Sequence, residues 1–257
     1  MSEVIRKSFK LLEAIKPTPE KVEWSATEIS KKLEIPVQTV HRLLSSLEES
    51  GIVFKNKETK KFRVGLNLLQ MGLSVRNNLL VRNSSIPTMK ALAKDIQQSV
   101  YLTVPEGYEG VYIDCISYLP WLKEAEPIGM RVPLNQGSAQ KVILAFSSPK
   151  SQRYLIQSLK EQGLIHDLKK LQDELKIVKN QYFAFSSGEI TKGTVSISCP
   201  VFSWEDEVVA SITVNGTIES MREDNFKQIV NRTKQAAITI SEELGWISSL
   251  SKMSAVH

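Results

Sequence analysis

The stretch ATEISKKLEIPVQTVHRLLSSLEESGIV, residues 26–53, sets two apolar periodicities side by side with only a few residues between them. Just before it, Ser25 with Glu28 three residues later forms a capping box, in which each side chain answers an orphaned N–H at a helix start. A helix is therefore predicted from there, with Ala26, Ile29 and Leu33 as its buried stripe. Pro36 suits the first turn of a further helix, where its missing N–H costs nothing. In that helix Val40, Leu43, Leu44 and Leu47 follow the i, i+3, i+4, i+7 spacing of a core-facing side. It should end near Gly51, a residue able to take the left-handed conformation at a helix C-terminus. The opposite side is left to Gln38, Thr39, Arg42 and Ser45, with His41 and Ser46 at its margins.

Working outward, VFKNKETKKFRVG reads as two short β-prone runs around a Lys-rich turn, a hairpin. Two short helices with a tight turn and a basic hairpin describe a winged helix-turn-helix, whose second helix enters the major groove. Arg is bidentate to guanine and Gln to adenine, while Thr and Ser are more permissive readers. Lys55, Lys57, Lys60, Lys61 and Arg63 around the hairpin suit phosphate contacts, which add affinity but little sequence information. An opening helix precedes this pair, with Val4, Ile5, Phe9, Leu12 and Ile15 near helical spacing, broken by Pro17 and Pro19.

The charge distribution agrees. Residues 1–80 hold 14 Lys+Arg against 9 Asp+Glu, whereas residues 81–257 hold 19 of each. The whole excess of +5 thus sits in the N-terminal third, as expected where one part meets a polyanion. With 42% hydrophobic and 24% charged residues the chain has a globular composition. No run of about 18 apolar residues announces a membrane span, and the charged amphipathic start is unlike a signal peptide. Cys115 and Cys199 are too few for a disulfide framework and lack metal-ligand spacing. A reduced, cytoplasmic protein without cofactor or metal is expected.

A helix is predicted over about 66–81, a boundary at Ser85-Ile86-Pro87, and another helix in TMKALAKDIQQS. From Val100 the period changes to two. VYLTV and GVYIDCIS flank the turn PEGYEG, IGMRVPL is a further strand, and SAQKVILAF a helix. Helices are predicted from Ser148-Pro149 and from Asp167 to about Tyr182. TVSISCPVF and EVVASITVN are strands joined at SWED, and a helix over about 221–244 closes the chain. This part is α+β with a largely antiparallel sheet. The chain's histidines, His41, His166 and His257, form no catalytic set, and no Gly-x-Ser-x-Gly, His-Glu-x-x-His or P-loop pattern occurs. No catalytic residue is assigned. Cys199 reads as a buried small hydrophobe, and Trp121 as a loop-packing residue.

IPVQTVHRLLSSLEESGIV followed by KKFRVGLNLLQMG resembles the signature of the IclR family of bacterial transcriptional regulators. VPLNQGSAQKVILA is similar to the family's Ala-Thr-Ala-x-Gly-Lys-Ala-x-Leu-Ala segment. SSGEITKGTVSISCPVFSWEDEVVASITVNG resembles its acidic, Gly, Cys-x-x-x-Pro-Val stretch. The likeness runs over about residues 4–245. It implies a winged helix-turn-helix DNA-binding domain (1–65), a linker or dimerisation helix (66–82) and a GAF-like effector-binding domain (83–257). It also implies a homodimer or dimer of dimers on a palindromic double-stranded operator, with a small effector, commonly an organic acid.

In such regulators the effector sits between one sheet face and the N-terminus of the helix after VPL. Free N–H groups and the helix dipole favour a carboxylate there. Here that corner is Gly137, Ser138 and Ala139. The remaining pocket positions fall on Ser186, Ser196, Thr213 and Asn215, with Glu189 matching an acidic position nearby. Ser186 stands where the family has an acid, Ser196 where it has Cys, and Gln140 where it has Gly, so a different ligand is expected. A constitutive DNA-binding protein with a filled second domain, or an enzyme using Glu189 or Asp114, are the competing readings.

Overall fold

In the computed structural model, residues 2–118, 126–221 and 223–247 are described. The expectations for Trp121 and His257 lie outside them. The chain forms two compact units, 1–78 and 79–257.

In the first unit α1 (Glu3–Ala14) turns Leu11 and Ala14 inward, with Ile15 after them. This differs from the expected stripe, because Val4, Ile5 and Phe9 are exposed. The Ser25 box forms as its spacing requires. Ser25 Oγ accepts from the Glu28 N–H at 3.2 Å, and the Glu28 carboxylate accepts from the Ser25 N–H at 2.8 Å. Lys21 on the same carboxylate, with the Ser25 bonds behind it, holds Glu28 down to about 2. Ser25→Ala removes one arm of this box and should cost about 1 kcal/mol of unfolding free energy, read as a fall in the denaturation midpoint at unchanged slope. The helix so started is α2 (Ala26–Leu33).

In α3 (Val37–Glu49) Pro36 stands at the N-cap, one residue outside the helix. Val40, Leu43 and Leu44 are buried against Leu11, Ile15, Ala26 and Ile29. Gly51 after it has φ +70°, and a Cβ there would meet Asn67, so the left-handed turn fixes this residue as Gly. The hairpin is β1 (Val53–Lys55) antiparallel to β2 (Phe62–Val64), with Phe54 opposite Arg63. α4 (Leu66–Asn77) follows; it buries none of its residues and exposes Leu66, Leu69, Met71, Leu73 and Val75.

In the second unit α5 (Leu80–Ile96) runs through Pro87, so the expected break at 85–87 is absent. A proline inside a helix removes one backbone bond. The buried Met89, Leu92 and Ala93 pack into the main core and hold the helix across it. β3 (Ser99–Glu106), β4 (Glu109–Ile116) and β5 (Arg131–Pro133) are followed by α6 (Ser138–Phe146), α7 (Pro149–Glu161) and α8 (Leu168–Gln181). Ser148 and Asp167 cap the last two. Then come β6 (Ala184–Ser187), which the sequence reading did not register, β7 (Thr194–Phe202), β8 (Val208–Thr217) and α9 (Glu223–Glu243).

The six strands form one antiparallel sheet in the order β5-β4-β3-β8-β7-β6. Alternation gives its two faces opposite characters. One carries Val100, Leu102, Ile197, Cys199, Val201, Ile212 and Val214 against α5 and α9. The other, under α6, carries Ser186, Ser196, Ser198, Ser211, Thr213 and Asn215. Cys199 is buried in the apolar core, as its reading held, and burial pushes its thiol up to about 12.

Candidate functional site

Two places in the fold carry polar groups that packing alone does not explain. The first is the outer edge of α3. With Val40, Leu43 and Leu44 clamped below, Gln38, His41, Arg42, Ser45 and Ser46 are exposed and Thr39 is half-buried. None of the five exposed side chains is withdrawn into the interior.

The hairpin beside them is organised by a residue the sequence reading passed over. The Glu23 carboxylate accepts from Asn56 Nδ2 at 3.1 Å and Thr59 Oγ1 at 3.0 Å, and these bonds hold it below the usual carboxylate range. Asn56 Oδ1 in turn accepts the N–H groups of Glu58 and Thr59. Trp24 pairs with Phe62 through bonds of 2.8 Å in both directions, adding a third short rung to the wing. Lys57, Lys60 and Lys61 are therefore exposed on a braced turn, Lys60 with φ +57°. Lys55 is half-buried over the Phe62 ring and Arg63 lies 4.4 Å from the Phe54 ring centroid, so both present charge from fixed positions. No sequence periodicity marks Glu23; only a carboxylate near a turn rich in donors hints at it.

The second place is the polar sheet face beneath α6. Gly137, at φ +75°, precedes α6, where a Cβ would press on Gln140 and Ile190. The hydroxyls form a chain: Ser138 Oγ lies 2.8 Å from Ser196 Oγ and 2.7 Å from Ser198 Oγ. Ser186 and Ser196 are 2.8 Å apart, as are Ser198 and Thr213. The structure thus brings Ser138, Ser186, Ser196 and Thr213 together, with Ser198 as a member the sequence reading omitted. Asn215 lies two residues beyond Thr213 on the same face, opposite Ser99 and Ser196. Ala139 is buried in the same helix start.

One expectation is corrected here. The helix start does not offer free N–H groups at Gly137 and Ser138. Gly137 N–H donates to Glu189 Oε2 at 2.9 Å, and Ser138 N–H to Ser186 Oγ at 3.3 Å. Glu189 and Ser186 thus take two of the N–H groups at this helix start. Glu189 also pairs with Lys141 at 3.0 Å, and Glu174 with the same ammonium at 2.9 Å. Burial works against the charge on Lys141, but the two carboxylates outweigh it and raise its pKa.

Other polar groups on this side are left without partners. Among the described residues, Thr103 Oγ1, Glu126 Oε2, both Gln140 side-chain polar atoms, Ser211 Oγ and Asn215 Oδ1 are buried and unpaired. Each such group costs roughly 1–3 kcal/mol while it stays so. Glu126 is the clearest case. It is 4% exposed, and burial, opposed by the Asn215 side chain, pushes its carboxyl up to about 7. It neighbours Tyr101, Tyr112 and Cys115, whose pKa values burial also raises. No motif points to Glu126, which lies in a loop between strands.

A winged helix-turn-helix followed by a unit whose sheet has one hydroxyl-rich face is the architecture of a DNA-binding transcriptional regulator. The chain matches the family model for the IclR helix-turn-helix domain over residues 4–56, and that for the bacterial transcriptional regulator IclR C-terminal over 74–242. It belongs to the IclR family of bacterial transcriptional regulators. It is 28% identical over 224 residues to the HTH-type transcriptional regulator KipR of Bacillus subtilis, covering 86% of this chain and 89% of that one. To KdgR of Dickeya chrysanthemi it is 26% identical over 247 residues, covering 94% and 80%. The crystal structure of Thermotoga maritima IclR superposes with a TM-score of 0.76 at 25% identity, over 94% of this chain and 98% of that one. An IclR homologue from Microbacterium hydrocarbonoxydans, solved with 4-hydroxybenzoate, gives 0.76 at 19% identity, over 95% and 99%. Among the described residues no helix is long and apolar enough to cross a membrane.

Proposed function

We propose that this regulator binds a palindromic operator as a homodimer or dimer of dimers and responds to a small molecule held against the polar sheet face. It acts in the cytoplasm, without catalysis. The single observation that carries the DNA-binding half is the exposed row Gln38, His41, Arg42 and Ser45 above a buried underside. Thr39 reads from the edge of that row. Lys55, Lys57, Lys60 and Lys61 meet phosphates from the wing. Residues 66–82 serve as the dimerisation segment between a DNA-binding domain of 1–65 and an effector domain of 83–257. The unburied apolar side chains of α4, and those of α1, support that role.

The effector half rests on the hydroxyl chain Ser138, Ser186, Ser196, Thr213 and on the unpaired groups beside it, Asn215 among them. An organic acid is the first class to consider, because a structural relative holds 4-hydroxybenzoate. A constitutive binder with a filled second domain would have no use for so many unpaired buried groups. Half-sites one DNA turn apart are about 34 Å apart, so a ligand that favours one assembly geometry changes whether both recognition helices dock.

The test is operator affinity against salt. Alanine at Lys57, Lys60 or Lys61 should each reduce the slope of log affinity against log salt by about 1, leaving sequence preference intact. Slopes unchanged in all three variants would remove the wing from the interface.

A further inference from the structure

On the α5 and α9 side of the sheet, a cleft of about 460 Å³ opens between the end of α5, the turn after β8 and the first turns of α9. Small-molecule sites typically measure about 300–1,000 Å³, so the cleft is of ligand size. It is separate from the hydroxyl-rich face, which lies under α6. Half-buried Ile96 and buried Ile229 give it apolar wall. Gln97, Gln98, Asn225 and Gln228 bring four carboxamides to it, with Ser220 and the exposed ring of Tyr118 beside them.

Gln98 is the member that packing does not explain. It is only 8% exposed, and its Oε1 accepts from Ser220 Oγ at 3.2 Å. Gly216 makes room for this pair, since a Cβ there would press on both Gln98 Oε1 and Ser220 Oγ. The Nε2 of the same amide has no partner among the described residues. A donor almost wholly withdrawn from water therefore lines the cleft with its bond unmade. Such a donor carries an uncompensated desolvation cost, which an acceptor on a ligand would remove.

The borders of the cleft disfavour a net charge on that ligand. Asp95 is paired with Arg232 at 3.2 Å, and among the described residues no Lys or Arg lines the cleft. α5 ends here at Gln97, φ +54°, with the negative end of its dipole, while α9 starts at Glu223 with the positive end of its own. An ion drawn to one end would be repelled by the other. An amide instead carries a donor and an acceptor on neighbouring atoms. A glutamine carboxamide answers both with two parallel bonds, as it does on adenine. A flat ring carrying the amide can stack on Tyr118.

We propose that this cleft is a second small-molecule site of the second unit, taking an uncharged planar amide or lactam held by Gln98 and Gln228. The site is independent of whatever the hydroxyl-rich face binds.

Benzamide, benzoate and benzamidine share one flat skeleton and differ in charge, so they serve as probes in ligand-observed NMR titrations of the full-length protein. A molecule of about nine heavy atoms binds at about 10 mM or tighter where it fits. Benzamide should bind in that range. Both charged probes should bind at least about tenfold more weakly, because each brings an ion to a cleft without a free counter-charge. Gln228→Leu, at an exposed position, should weaken benzamide about three- to tenfold, and Gln98→Leu at least as much. Thr213→Val, on the hydroxyl-rich face, should leave benzamide affinity as it is. Equal binding by benzoate or benzamidine, wild-type affinity in Gln228→Leu, loss in Thr213→Val or no benzamide binding would each overturn the proposal.

Discussion

Arg42→Ala is expected to erase most of the distinction between operator and unrelated duplex. Arg42 is exposed on α3, one turn on from Gln38, with the buried Leu43 and Leu44 next to it fixing its direction. A bidentate arginine contact to a base edge accounts for about 1–3 kcal/mol of discrimination, roughly 5- to 150-fold per site. With the proposed two-fold assembly docking one copy per half-site, the loss is expected to be squared on the whole operator. Binding to random duplex should weaken far less, because non-specific affinity rests on phosphate contacts, the role proposed for the lysines of the wing. Thermal unfolding should be unchanged, since Arg42 is exposed and not one of the core residues that hold α3. Competition binding with operator and scrambled duplex at fixed salt measures both constants. A variant that keeps wild-type selectivity would mean that another face of the first unit meets DNA.

That α3 could be placed from sequence has a physical basis. Local rules act within a turn or two: the Ser25–Glu28 box, the left-handed Gly51 and the caps at Ser148 and Asp167 all appear where the residues put them. Periodicity failed where burial depends on partners distant in the chain. Phe9 fits a helical stripe as well as Leu11 does, yet only Leu11 meets α2 and α3. Pro87 reads as a boundary, but the core under α5 outweighs one lost backbone bond.

The polar sheet face was half legible. Ser196, Thr213 and Asn215 alternate along β7 and β8, and the register puts them on one face. The occupancy of the Gly137 N–H by Glu189, 52 residues further on, belongs to tertiary contact alone. So does Glu126, a loop carboxyl with no neighbour in sequence to betray its burial.

Glu126 also gives the stability of the second unit a pH dependence. Its carboxyl rises from 4.5 to about 7 because burial disfavours the charged form more than Asn215 favours it. The folded state therefore holds this proton through a range in which the unfolded chain has lost it. In that window the native state binds more protons, so stability falls as pH rises, beginning near the unfolded value and completing above about 7. Two to three pH units correspond to about 3 kcal/mol at 1.36 kcal/mol each. The tyrosines Tyr101 and Tyr112 and the thiol of Cys115 beside it are all raised, so they stay neutral throughout and do not mask the effect. Glu126→Gln keeps the shape and removes the charge. It should stabilise the second unit by about 3 kcal/mol near neutral and alkaline pH, a rise of roughly 6–12 °C in its melting transition, with the difference vanishing near pH 4.5. Scanning calorimetry of both proteins across that range reads the curve directly. Parallel profiles for wild type and variant would show that Glu126 titrates in the folded protein as it does in the unfolded chain, and would remove it from the buried, unpaired groups of the second unit.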